Sequence, residues 1–208
     1  ANYNVAAIAV SGNDVYVAGS FSQVGGIRAN NIAHWDGQTW RTLGEGPDNG
    51  VNRSVSALAV RGSDLFVGGL FSRAGTTDAR YVARWDGHRW HSLDNGPNDW
   101  VTALAVDGDQ LHAGGFFTRI GDQVANHVAT WQEGSWRSLG VGSANGTSST
   151  VYALAASAGQ LYVGGEFLSA GGQTVRRIAR WDGQQWNALG SAGAEGVVGV
   201  VYALCMSG

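Results

Sequence analysis

The chain repeats itself. Short apolar runs led by valine begin at Val5, Val55, Val101, Val151 and Val201, a spacing of 50, 46, 50 and 50 residues. A period of that size marks supersecondary units that cannot bury their apolar faces alone and must stack on neighbours. The repeats run 5–54, 55–100, 101–150 and 151–200, with a partial repeat at 201–208. Residues 1–208 therefore read as one domain, complete or a segment of a longer protein.

Each unit carries four strand signals. The first is the valine-led run, for example Val55 to Val60; the second follows a Gly and Asn/Asp turn and ends in small residues, as in Leu65-Phe66-Val67-Gly68-Gly69. A longer loop containing Phe21, Phe71, Phe117 or Phe167 leads to the third strand, and a tight turn leads to the fourth. Four short strands joined by turns predict an antiparallel meander, and radial stacking of such sheets leaves only short protected edges. The expected fold is all-β: a β-propeller of four-stranded antiparallel blades, four complete repeats plus the first strand of a fifth, Val201 to Met206.

The turn between the third and fourth strands holds the most specific local pattern: Trp35-Asp36-Gly37-Gln38-Thr39-Trp40, Trp85-Asp86-Gly87-His88-Arg89-Trp90 and Trp181-Asp182-Gly183-Gln184-Gln185-Trp186. Asp-Gly favours a two-residue hairpin loop, which would set Ala33 opposite Trp40 with both tryptophans on one side. The third unit has Trp131-Gln132-Glu133-Gly134-Ser135-Trp136, and its displaced glycine predicts a bulged turn. The tryptophans and the loop phenylalanines recur in every unit, as inter-blade packing requires.

Glycine, at 33 of 208 residues, suits a chain of tight turns, and 44% hydrophobic with 14% charged residues suits a folded body. The formal charge of −3, without a basic run, argues against nucleic acid as a partner, although all 13 basic residues are arginine. No apolar stretch is long enough to insert in a membrane. The single cysteine, Cys205, excludes an internal disulfide framework and a cysteine-rich metal site, and its apolar surroundings predict a buried thiol.

The glycine pairs Gly68-Gly69, Gly114-Gly115 and Gly164-Gly165, each followed by a tryptophan in the third strand and another in the fourth, resemble kelch-repeat propellers. The first unit departs, with Ala18-Gly19. The Trp-Asp-Gly form is similar to kelch-like repeats of bacterial surface or secreted proteins and, more distantly, of fungal polarity-marker proteins. The resemblance implies fold rather than activity, since propellers host unrelated functions. Enzymes built on kelch blades with a copper radical site need a tyrosine-cysteine pair and histidine ligands, company that Cys205 lacks.

In such a blade the long connections, second to third strand and fourth strand to next blade, share one end, which is the expected binding face. Its candidate ligand-binding residues are Arg28, Asn30, Arg80, Trp100, Asn126, His127, Arg176 and Arg177, with Asn31 beside them. Trp100 is the lone tryptophan outside the repeat pairs and the best aromatic anchor, or else packs on the adjacent strand. Asn52 and Asn145 head glycosylation sequons. His112 takes the place of Tyr16, Phe66 and Tyr162 and reads as a structural residue. No catalytic residue, metal site or cofactor is expected.

The function that follows is a non-catalytic extracellular or cell-surface binding or assembly scaffold. It would use the long-loop face or the blade edges, hold a protein or a glycan at that face and self-associate through the terminal strand. A glycan-binding lectin is the alternative, and a propeller enzyme comes third.

Overall fold

The computed structural model describes residues 1–190 and 196–206, with Ser143 described by its backbone only. Residues 191–195, in the closing loop of the fourth repeat, and residues 207–208 of the partial fifth lie outside the described residues. The contacts divide the chain into two units, Ala1–Gly96 and Pro97–Gly208, each carrying two blades.

In the first unit, blade 1 consists of β1 (Asn4–Ser11), β2 (Asp14–Ser20), the short arms β3 (Gln23–Val24) and β4 (Ile27–Arg28), then β5 (Ile32–Trp35) and β6 (Trp40–Arg41). Blade 2 consists of β7 (Val55–Arg61), β8 (Asp64–Gly69), β9 (Arg73–Ala74), β10 (Thr77–Asp78), β11 (Val82–Trp85) and β12 (Trp90–Ser92). In the second unit, blade 3 runs β13 (Val101–Asp107), β14 (Gln110–Gly115), β15 (Arg119–Ile120), β16 (Gln123–Val124), β17 (Val128–Gln132) and β18 (Ser135–Ser138). Blade 4 runs β19 (Val151–Ser157), β20 (Gln160–Gly165), β21 (Ser169–Ala170), β22 (Gln173–Thr174), β23 (Ile178–Trp181) and β24 (Trp186–Ala188). Every blade is the expected antiparallel meander, ordered β1-β2-β5-β6 and its equivalents.

The long loop after the second strand is not irregular. It folds into a two-stranded hairpin, such as β9 with β10, whose second arm runs beside the outer strand: Thr77 Oγ1 donates to the Trp90 carbonyl at 3.2 Å, and Gln123 Nε2 to that of Trp136 at 3.0 Å. Under each hairpin sits the loop phenylalanine; Phe71, Phe117 and Phe167 are fully buried.

The glycine pairs have a steric cause. A bulge in the first strand of each blade, between Val55 and Ala57 in blade 2, brings its backbone over the second glycine, so a Cβ at Gly69 would collide with the Ser54 carbonyl. The first glycine of the pair is a socket for the next blade: a Cβ at Gly114 would strike Val151 and crowd Leu154 of β19.

Within each unit the blades share a core. Ala18, Ile32, Leu43 and Val51 of blade 1 pack with Val55, Leu65, Val67 and Phe71 of blade 2, and Val128 and Leu139 of blade 3 pack with Val151, Leu154, Val163 and Phe167 of blade 4. The fourth-strand tryptophan stitches that seam. Trp90 Nε1 donates to the Leu43 carbonyl and Trp186 Nε1 to the Leu139 carbonyl, both at 3.1 Å.

Three expectations need correction. The Asp-Gly turns are four-residue loops, with Trp35 directly opposite Trp40, Trp85 opposite Trp90 and Trp181 opposite Trp186. The aspartate shapes this: its own N–H donates across the loop to the Thr39 carbonyl at 3.2 Å, while Asp36 Oδ1 accepts the N–H groups of Gln38 at 2.9 Å and Thr39 at 2.7 Å and so keeps the Thr39 N–H from completing the pair, as Asp86 and Asp182 do in their turns. Both rings still lie on one side, 5.2 to 5.5 Å apart. Conversely, blade 3 is not bulged there. Gln132 lacks the carboxylate and pairs with Ser135, leaving a two-residue loop with both Glu133 (φ 52°) and Gly134 (φ 76°) left-handed, the backbone of a type I′ turn.

The third correction concerns the terminal segment. Among the described residues Val201–Met206 forms no ladder, and Cys205 is exposed rather than buried. The segment nevertheless occupies the place of a first strand on blade 4. Val201 N donates to the Gly165 carbonyl at 3.2 Å, and Val201 and Leu204 fill the Gly164 socket as Val151 and Leu154 fill that of Gly114.

Candidate binding surface

At the long-loop end each blade repeats one backbone device. The residue entering the third strand, Asn31, Tyr81, His127 or Arg177, is left-handed with φ between 63° and 66°. Its N–H donates to the carbonyl of the loop phenylalanine, at 2.8 to 3.0 Å, and its carbonyl accepts from Gly19, Gly69, Gly115 or Gly165 at 2.9 to 3.0 Å. Left-handed backbone costs an L-residue roughly 1–2 kcal/mol, and these paired bonds hold it there. Because only main-chain atoms take part, the side chain varies freely among Asn, Tyr, His and Arg.

The sequence-predicted residues divide into ties and exposed groups. Asn30 Nδ2 donates to the carbonyls of Pro47 (2.8 Å) and Asn49 (2.9 Å), and Asn126 Nδ2 to that of Asn145 (3.0 Å), so both fasten the loop leading to the next blade. Arg177 Nη1 donates to the Val198 carbonyl at 2.6 Å. His127 Nδ1 lies 3.2 Å from the Gly115 carbonyl, and burial pushes its pKa down, which favours the neutral ring donating there. Arg28, Arg80 and Arg176 are exposed.

The two sequons differ sharply. Asn52 is exposed, although its side chain accepts from Ser72 and Arg73 N–H, both at 3.0 Å, as Asn2 and Asn98 do in their own loops. Asn145 is 6% exposed, and its Nδ2 donates to the Val124 carbonyl at 2.6 Å. A glycan on Asn145 would require that bond to break and the side chain to leave its packing.

Trp100 does more than pack. In the second unit its ring stacks on Phe116, with centroids 5.3 Å apart and planes at 6°; Phe116 meets Tyr152 edge-on at 6.0 Å, and Tyr152 lies 5.3 Å from Tyr202. Trp100, Phe116 and Tyr152 are half-buried and Tyr202 is 71% exposed, so a row of four rings keeps accessible surface. Burial, then the charge of Glu166, raises the Tyr152 phenol pKa, so that ring stays neutral at physiological pH. Sequence reasoning named only Trp100. The signal for the rest was available: Tyr152 and Tyr202 stand where the other repeats have Ala6, Ser56 and Thr102, and Phe116 where they have Ser20, Leu70 and Glu166.

Two of the open clefts in the first unit bear on the site. One, of about 460 Å³, lies at the loop end and is lined by Tyr3, Ser22, Asn30, Asn31 and Asn52 among others. The other, of about 570 Å³, lies at the outer rim between Glu45 and Asp48 on one side and Thr77, His88 and His91 on the other, and was not anticipated. Trp85 on its wall is only 8% exposed, and His91 is tied to Asp86 at 2.6 Å. Among the described residues no group of three or more His, Cys, Asp or Glu side chains is placed to hold a metal ion, and no helix is long and apolar enough to cross a membrane.

Comparison with known proteins is consistent with this architecture. Residues 158–181 match a family described as a β-propeller domain of unknown function, DUF5122. No curated protein matches the sequence. Among solved structures, the WD40 β-propeller domain of Doa1 is similar at TM-score 0.52 and 11% identity, covering 88% of this chain and 52% of that one. The computationally designed Ika4 protein gives TM-score 0.52 and 18% identity, covering 87% of this chain and 92% of that one. The extracellular domain of a protein described as a hybrid two-component system of B. thetaiotaomicron gives TM-score 0.51 and 14% identity over 88% of this chain and 21% of that one. This chain thus spans about half of the Doa1 chain and a fifth of that extracellular-domain chain. At these identities the likeness is one of fold, and the fold is a β-propeller.

Proposed function

We propose that this β-propeller chain is a kelch-like, non-catalytic binding module, working outside the cell or at its surface, that takes a protein partner at its long-loop end. The observation that carries the reading is the aromatic row Trp100–Phe116–Tyr152–Tyr202. Large rings with accessible faces, locked by stacking on one another, present contact area at little entropic cost and dominate protein interfaces. The exposed Arg176 and the left-handed device beneath Arg177 add polar contacts on the same end of the second unit. Similarity to an extracellular domain and the exposed Asn52 sequon support the location. The lectin reading is favoured by one observation of its own: the loop-end cleft of the first unit sets Tyr3 among Asn30, Asn31 and Asn52.

The test displays the chain and its Trp100→Ala/Tyr152→Ala variant to a panel of purified secreted proteins and to a glycan array. Binding to a protein that falls by about a hundredfold in the variant, roughly the 2–4 kcal/mol of a hot spot, is the expected result. Glycan binding that survives the double change but is lost in Tyr3→Ala would move the site to the cleft and the function to a lectin. Protein binding indifferent to the row would overturn the proposal.

A further inference from the structure

The repeat supplies its own control for the aromatic row. Trp100 enters β13 where the equivalent places hold Asn4, Ser54 and Thr150; Phe116 stands for Ser20, Leu70 and Glu166, and Tyr152 for Ala6, Ser56 and Thr102. Residues as small as Ser54, Ser20 and Ala6 serve the fold at these places, so the three rings answer no demand of blade formation. Two carboxylates are equally particular to the row. Asp99 takes the place of Tyr3, Arg53 and Ser149, and Glu166 takes that of Phe116 one blade on.

These carboxylates bracket the rings. Asp99 lies at the Trp100 end, where its Oδ1 accepts the Trp100 N–H at 2.7 Å. Glu166 lies at the Tyr152 end: its N–H donates to the Thr150 carbonyl at 3.0 Å, the bond by which Phe116 N–H, at 2.9 Å from the Trp100 carbonyl, is fixed beside Trp100. The Glu166 charge adds to burial in raising the Tyr152 phenol pKa. Both carboxylates are exposed, and among the described residues neither has an ion pair. Arg177, at the same end of blade 4, turns its Nη1 to the Val198 carbonyl instead. Thr102 Oγ1 donates to the Val151 carbonyl at 2.5 Å and ties blade 3 to blade 4 beside the row, so the rings keep a fixed spacing.

We infer that the row receives cationic side chains of a protein partner, arginine foremost, whose guanidinium planes lie on the Trp100, Phe116 and Tyr152 rings and pair with Asp99 and Glu166 at the two ends. The inference rests on the binding-module reading above and gives the partner its charge. An apolar partner that covered the rings would draw both carboxylates out of water with nothing to answer them, which is costly. A cation is attracted to the negative faces of the rings and to the carboxylates alike. Arginine suits the site better than lysine, because its plane stacks on a ring while its N–H fork still reaches a carboxylate, and because it sheds water more readily.

The experiment measures fluorescence anisotropy of three labelled peptides, Gly-Arg-Gly-Arg-Gly and its lysine and citrulline counterparts, titrated with the 208-residue chain. The expected order of affinity is arginine, then lysine, then citrulline, which keeps the shape of arginine and loses the charge. Glu166→Gln and Asp99→Asn should each weaken the arginine peptide by about fivefold and flatten its salt dependence, and Trp100→Ala/Tyr152→Ala should abolish its binding. Both charge changes fall at exposed positions, and Asp99→Asn keeps a side-chain oxygen for the Trp100 N–H; circular dichroism confirms folding of each form. The same variants are then put to any secreted protein that the chain binds. A protein lost in the ring variant but indifferent to Glu166→Gln, Asp99→Asn and salt overturns this inference and leaves the binding-module reading standing, whereas a protein indifferent to the ring variant overturns both. An arginine peptide bound no better than its citrulline counterpart would also overturn the inference.

Discussion

His112 is 4% exposed, with Nδ1 at 2.8 Å from Thr130 Oγ1. Burial pushes its pKa down to about 4, against a smaller upward pull from Asp107. Its folded pKa lies below the unfolded value near 6.5, so the unfolded chain binds the extra proton between these values. Stability is full above pH 6.5 and falls as pH drops towards 4. Between pH 7 and 5 the loss from this group amounts to about 2 kcal/mol. In His112→Phe, which copies Phe66 of blade 2, the urea midpoint should change far less over that interval. An unchanged pH slope would mean the imidazole is solvated. The buried, structural character of His112 was legible because tyrosine or phenylalanine holds that position elsewhere. The roles of Asn30 and Asn126 were not, because a solvent-facing amide and a loop tie look alike until the Asn49 and Asn145 loops are placed beside them.

At the scale of the hairpin, one aspartate decides the turn. Asp36, Asp86 and Asp182 cap two N–H groups each and hold four-residue loops. These bonds, and for Asp86 foremost the one to His91, keep the carboxyls well below the ordinary range. Blade 3 has no such cap, and Glu133 is left at φ 52° in a two-residue turn. Glu133→Asn should raise the thermal midpoint by the equivalent of roughly 0.5–1 kcal/mol, since Asn tolerates the left-handed region better than Glu. The exposed contact to Arg137 that the change removes contributes little. A lowered midpoint would show that this ion pair, rather than the backbone, governs the turn. The sequence showed the four strands, yet it misplaced these turns. Asp-Gly is a hairpin signal only while the carboxylate leaves the following N–H groups alone. The β9–β10 hairpin and its equivalents were hidden for a related reason, because two-residue arms are too short to show periodicity.

For the molecule, stability rests on seams. Trp90→Phe or Trp186→Phe keeps most of the ring but takes away one of the two donors to the Leu43 or Leu139 carbonyl, which keeps the Gly50 or Gly146 N–H, and each should cost about 1 kcal/mol in chemical denaturation. Trp40→Phe should cost much less, because among the described residues that N–H has no acceptor to lose. Equal losses in all three would mean that ring packing, not the hydrogen bond, joins the blades. The repeat made the propeller legible from valines, glycine pairs and tryptophans. How far each first strand is covered could not be read, because Ile8 and Leu58 look the same in sequence and differ in what lies against them.

Tyr202 belongs to two structures at once, the end of the aromatic row and the cover over Gly164. Any ligand that grips all four rings must hold that segment against blade 4, and a chain whose segment is already seated there must bind such a ligand more tightly. By thermodynamic reciprocity the two events favour each other by the same factor.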